Sequence, residues 1–115
     1  MSNSIIASKS FDFAVEIVNL YKYLVYSKKE FILSKQVLRS GTSVGANVKE
    51  ALRGQSRRDF LSKMNIALKE ADETEYWIEL LIKTNYLGNK EGNKILVQCK
   101  EICKILNSIV KTVRS

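Results

Sequence analysis

The chain has 115 residues, 45% of them apolar and 27% charged, with no histidine, no proline and a formal charge of +7. A chain of this length makes one domain, residues 1–115, that can bury roughly 65% of the surface its unfolded form exposes, enough for a core without staples. The lack of histidine excludes histidine-based triads, general bases and metal ligands, and no apolar run approaches the ~20 residues needed to span a bilayer.

The start, MSNSIIASKSF, has no basic stretch followed by an apolar run, so a cytoplasmic protein is expected. Cys99 and Cys103 fit a reducing compartment. Two thiolates fall short of the four ligands of a structural zinc site. Four residues apart on one helix side, they read as small core residues. Neither a metal nor another cofactor is expected, because no P-loop or dinucleotide fingerprint occurs either. The missing proline permits long uninterrupted helices.

Charge is spread unevenly. Residues 31–57 carry five basic groups against one acid, and residues 89–115 carry six against two. Between them, residues 58–88 carry six acids against four basic groups. This pattern is either a nucleic-acid footprint or charge pairing between neighbouring helices.

The first helix is predicted over about 11–26, with Ser10 as N-cap and Asp12 in the first turn. Phe13, Ile17, Leu20 and Leu24 share one face at helical spacing. Ala14, Val18, Tyr21 and Val25 form a second stripe beside it. Such a wide apolar face is either a thick core or a subunit interface.

The second helix is predicted over about 31–53. Leu33, Val37, Ser40, Val44, Val48 and Ala51 form its core stripe. Ser40, Gly41, Ser43, Gly45 and Ala46 crowd its middle. Each glycine costs a helix roughly 1 kcal/mol, so close approach of another helix is the plain explanation and a ligand against the backbone the other. Gly54 is a natural helix stop, and Ser56 to Asp59 resembles a capping box. Arg53, Arg57 and Arg58 cluster at this short corner, where arginine could pair with phosphate.

The third helix is predicted over about 59–85. Phe60, Met64, Ala67, Ala71, Ile78 and Ile82 share a face, with Glu75 near its middle. A carboxylate there needs partners, so Ser43, Asn47, Glu50, Thr74 and Glu75 are expected to form an internal polar network. Glu50 and Glu75 are the one carboxylate pair worth examining for acid–base work. Tyr76 and Trp77 point away from the stripe and suggest a second contact surface. Gly88 is expected to stop this helix and Asn89 to cap the next.

The fourth helix is predicted over about 91–113. Ile95, Cys99, Ile102, Leu106, Ile109, Val110 and Val113 make its apolar face. Lys100, Lys104 and Lys111 line another side, as a solvated face or a phosphate-binding stripe.

Two blocks of residues carry a specific likeness. Gln36 to Asn47 followed by Glu50-Ala51, then Asp59-Phe60, Ile66 to Ala71, Glu73-Thr74 and Tyr76-Trp77, resemble the signature of the four-helix bundle protein family, also called the 23S ribosomal RNA intervening-sequence protein family. The likeness covers nearly the whole chain. It implies an all-α, antiparallel up-down-up-down four-helix bundle in a ring-shaped homopentamer, similar to the accessory protein of diversity-generating retroelements. Members of that family are often encoded within insertions of 23S ribosomal RNA genes, and the resemblance also implies nucleic-acid binding.

Together these readings describe a non-enzymatic bundle that binds structured RNA or DNA. Arg53, Arg57, Arg58, Lys100, Lys104 and Lys111 are its expected phosphate contacts. Ala14, Val18, Tyr21, Val25, Tyr76 and Trp77 are its expected subunit contacts. The alternative is a scaffold that recruits a partner protein through its apolar and aromatic face.

Overall fold

Four helices follow one another, α1 (Ser2–Tyr26), α2 (Leu33–Leu52), α3 (Arg57–Lys83) and α4 (Asn89–Arg114), in a computed structural model that describes residues 2–114, with side chains from Ile5 onward. No strand occurs among the described residues. Each helix packs on the next and α4 closes back on α1, while among the described residues the diagonal pairs, α1 with α3 and α2 with α4, keep their Cα atoms more than 8 Å apart across a shared core. Short connections turn successive helices antiparallel, which gives the up-down-up-down bundle, 44 Å long and about 20 Å across. None of the helices is long and apolar enough to cross a membrane.

Alternating steps of three and four residues generate the core. They place Ile6, Ser10, Phe13, Ile17, Leu20 and Leu24 of α1 inside. They bury Val37, Gly41, Val44, Val48 and Ala51 of α2, and Cys99, Ile102, Leu106 and Ile109 of α4. This 3.5-residue repeat keeps each seam facing its neighbours along the full bundle.

The same repeat corrects the expected face of α3. The buried residues are Met64, Ala67, Ala71, Thr74, Ile78 and Leu81, so Thr74 faces the core and Glu75 and Ile82 are half-buried beside it. Thr74 is hydrogen-bonded to the buried Ser40 hydroxyl at 2.8 Å. With Thr74 donating to the Glu70 carbonyl (2.7 Å), Ser40 supplies the proton of that pair, and both hydroxyls are satisfied.

Helix α1 begins nine residues before the expected start. Ser10 is a 1%-exposed residue inside the helix, and its hydroxyl donates back to the Ala7 carbonyl at 3.2 Å. It is small because α2 comes close there: a Cβ on Gly45 would lie 3.2 Å from the Ser10 carbonyl oxygen. The crowding of small residues in α2 thus serves close helix approach on this side.

Helix α2 starts at Leu33 because Glu30 caps it. The buried Glu30 carboxylate accepts from the backbone N–H groups of Ile32 (3.2 Å), Leu33 (3.0 Å) and Ser34 (2.7 Å). These are among the orphan donors of a helix start, where the dipole also favours negative charge. Burial alone would raise the Glu30 pKa. The backbone donors at Leu33, Ser34 and Ile32 outweigh it and hold the carboxyl below its ordinary 4.5. A depressed folded pKa gives stability that is present above the ordinary range and lost as pH falls through the folded value. Glu30→Gln is expected to lower unfolding free energy at neutral pH by about 1–2 kcal/mol. Its deficit against the natural protein should close below pH 4.5 in urea titrations across pH. A constant deficit would show that the charge plays no part.

At the next corner Ser56 caps α3, its hydroxyl accepting from the Asp59 N–H at 3.0 Å. Gly54 follows the end of α2 without a positive φ. Space there is tight, since a Cβ would sit 3.1 Å from the Ala51 carbonyl oxygen and 3.2 Å from the Asp59 Cβ. Helix α3 ends at Lys83, and Asn85, with φ of 67°, makes the left-handed stop expected of Gly88. Asparagine tolerates that region better than other side chains. Asn89 is already helical rather than a cap, since the Gly88 carbonyl accepts from the Gly92 N–H at 2.8 Å.

Candidate nucleic-acid interface

The antiparallel order brings three segments to one end of the bundle: the start of α1, the α2–α3 corner and the end of α4. Two contacts tie the last two together. Arg57 donates from Nη2 to the Val113 carbonyl, one of the orphan acceptors at a helix C-terminus. Arg114 donates to Asn65 Oδ1 at 3.5 Å.

At this end, residues 49–63 and 108–114 carry seven basic groups, Lys49, Arg53, Arg57, Arg58, Lys63, Lys111 and Arg114, against Glu50 and Asp59. Lys63 pairs with Glu50 at 2.9 Å. Four of the chain's five arginines are here. The fifth, Arg39, is held at mid-bundle by Glu70 (3.2 Å) and Glu73. The opposite end also carries lysines, among them Lys28, Lys29, Lys83 and Lys90, but no arginine. Arginine's fork pairs with phosphate through two parallel N–H bonds, which lysine cannot do.

Arg53, Arg57, Arg58, Lys100, Lys104 and Lys111 are all exposed. None of them forms an ion pair among the described residues. The fold gathers Arg53, Arg57, Arg58 and Lys111 at the arginine end. Lys104 stands beside Phe60 on a groove shared by α3 and α4. Lys100 lies one turn further from the end on the same side of α4, so the lysine stripe runs ~16 Å along the bundle at 1.5 Å per residue. Lys49, which the sequence reading missed, sits one turn before Arg53; its signal was that four-residue spacing.

The expected polar network does not assemble. Ser43 donates back to the Arg39 carbonyl (2.6 Å) and Asn47 to the Ser43 carbonyl (2.8 Å), both within α2. Glu50 is exposed on Lys63. Only Thr74 reaches the core, with Ser40 as partner. Glu75 faces α4, where Cys103 Sγ lies 3.9 Å from its Oε1. Glu50 and Glu75 therefore serve different helix pairs and do not form one carboxylate site.

Asp72, Glu75 and Cys103 bring one ligand atom each to within 4.8 Å of one another, three donors where a structural zinc site takes four. Cys99 and Cys103 are buried. Cys99 donates to the Ala71 carbonyl at 3.3 Å. The adjoining Cys103 and then burial push its pKa far up, so it stays a thiol.

Of the expected subunit contacts, Ala14, Val18, Tyr21 and Val25 are half-buried along α1. Tyr76 is 58% exposed. Trp77 is not a free aromatic. It packs against the core, donates from Nε1 to Glu73 Oε2 at 3.0 Å, and meets Tyr76 edge-on at 5.0 Å. The Trp77 N–H and then Arg39 hold the Glu73 carboxyl below its ordinary value.

No curated protein matches the chain. A solved protein of unknown function from the S23 ribosomal protein family of Bacteroides thetaiotaomicron is similar over 96% of this chain and 99% of that one, at 57% identity and a TM-score of 0.94. The family profile of the 23S rRNA-intervening sequence protein matches residues 2–108. With that profile spanning all four helices and both signature blocks in place on α2 and α3, the chain belongs to the 23S rRNA-intervening sequence protein family.

Proposed function

We propose that this chain is a non-enzymatic homo-oligomer that binds structured RNA or DNA, mainly through phosphates, at the arginine end of the bundle. The carrying observation is the gathering there of four of the five arginines from segments more than fifty residues apart in sequence. The family name, which refers to an intervening sequence of 23S rRNA, supports a nucleic-acid role. Lys104 and Lys100 extend the contact along α4. The subunits form a homopentamer, as the resemblance implies, and meet over the part of the outer stripe of α1 further from the arginine end, where Val18, Tyr21 and Val25 remain half-buried, with Tyr76.

Photo-crosslinking to a thiouridine-labelled structured RNA tests the site. Adducts are expected in the peptides spanning residues 49–63 and 108–114. Adducts concentrated at the lysines of the opposite end would contradict it.

A further inference from the structure

A groove of about 560 Å³ opens between the first half of α1 and the second half of α2, directly beside the arginine end. That size falls within the ~300–1,000 Å³ range of small-molecule sites. Ala7, Ala14, Gly45 and Ala46 line it with small side chains or none, and Phe11 and Leu52 line it with large apolar ones. Phe11 is 68% exposed, so its ring offers a face to whatever enters. The charged residues along the groove are Lys49 and Arg53, both cations. Arg53 also belongs to the basic corner, so groove and arginine end share a residue.

We propose that this groove takes one unpaired base of a structured nucleic acid, stacked on Phe11, while Lys49 and Arg53 hold the flanking phosphates. The inference rests on the nucleic-acid reading above and sharpens it: the preferred ligand carries a bulge or loop rather than an unbroken duplex. An unpaired base can be splayed out and stacked on an aromatic ring, and a paired base cannot. The groove meets both requirements of such a contact, an apolar slot for the base and cations for its backbone. The charge pattern also favours this occupant, because no carboxylate lines the groove to repel a phosphate.

The test uses the full chain and two RNA hairpins of equal length, one fully paired and one with a single bulged 2-aminopurine. The bulged hairpin is expected to bind about tenfold more tightly, with a change in 2-aminopurine emission at saturation. Phe11→Ala, at an exposed position that the fold does not need, should abolish that preference and leave affinity for the paired hairpin unchanged. Ala46→Leu, which fills the groove from another exposed helical position, should do the same. Equal binding of both hairpins by the natural protein would overturn the base pocket and leave the phosphate reading standing. A preference that survives Phe11→Ala would place the base elsewhere. A Phe11→Ala variant whose light-scattering mass falls, with hairpin preference intact, would make the groove a subunit contact and overturn the proposal. Binding of neither hairpin would remove the parent reading first.

Discussion

A variant with Arg53, Arg58 and Lys111 all changed to glutamine is expected to bind structured RNA and duplex DNA on the order of a hundredfold more weakly at ~0.1 M salt. The three side chains are exposed and free of ion pairs among the described residues, so their loss leaves no buried charge and the fold should hold. Each phosphate contact that disappears also removes released counterions. The log–log salt dependence on duplex DNA should therefore flatten by about 2.7 units for three contacts. Arg57 is left in place because it also caps α4 through the Val113 carbonyl. A matched variant, with Lys28, Lys29 and Lys90 changed to glutamine, removes the same charge from the opposite end. It should lose only what the general field contributes. Equal losses in the two variants would show that net charge, and not the arginine end, governs binding.

The largest effect on stability should come from the α1–α2 contact at Ile17 and Gly41. Ile17 is fully buried, and Ile17→Ala should cost about 3–4 kcal/mol in transfer and cavity terms. A Cβ on Gly41 would lie 2.7 Å and 2.8 Å from Ile17 Cγ1 and Cγ2. Gly41→Ala alone should therefore cost about 1–2 kcal/mol from overpacking, despite a helix-propensity gain of about 1 kcal/mol. In the double variant the obstructing atoms are gone and the added methyl fills part of the cavity. The pair should then be less destabilised than the sum by about 1–2 kcal/mol, read from urea unfolding. Strict additivity would mean that Gly41 is not there to admit Ile17.

The number of helices, their order and most of the core were legible in sequence, because a 3.5-residue apolar repeat leaves few other solutions. Val37, Val44, Val48 and Ala51 fall inside as their spacing requires, and Ser56 caps α3. The boundaries were less legible where one residue type serves two purposes. Ser10 looks like a cap and is instead a small core residue that lets α2 approach. Glu30 looks like a loop acid, yet it caps α2 from three residues before its first, Leu33, a reach that no short motif encodes. Thr74 is inside as expected, but Glu75 and Ile82 lie beside the core face rather than on it, because a 3.6-residue reading drifts by about one position over the length of α3.

The candidate site was legible in part. Ser56-Arg57-Arg58-Asp59 marks the basic corner directly. Its proximity to Lys111 and Arg114 exists only once α4 has folded back on α3. The polar network failed for a local reason: hydroxyl and amide side chains inside a helix find the carbonyl four residues back before they find another helix, as Ser43 and Asn47 do.

Equilibrium binding of the unmodified protein to a structured RNA and to duplex DNA across a salt series decides whether phosphate contacts carry the interaction. Binding is expected to be saturable, and the logarithm of its constant to fall linearly with the logarithm of salt, with a slope steep enough for at least four phosphate contacts, about −3.6 on duplex DNA. A shallow slope with only weak binding, at dissociation constants of ~10⁻⁴ M or above, would contradict it and leave the +7 charge as a determinant of solubility alone.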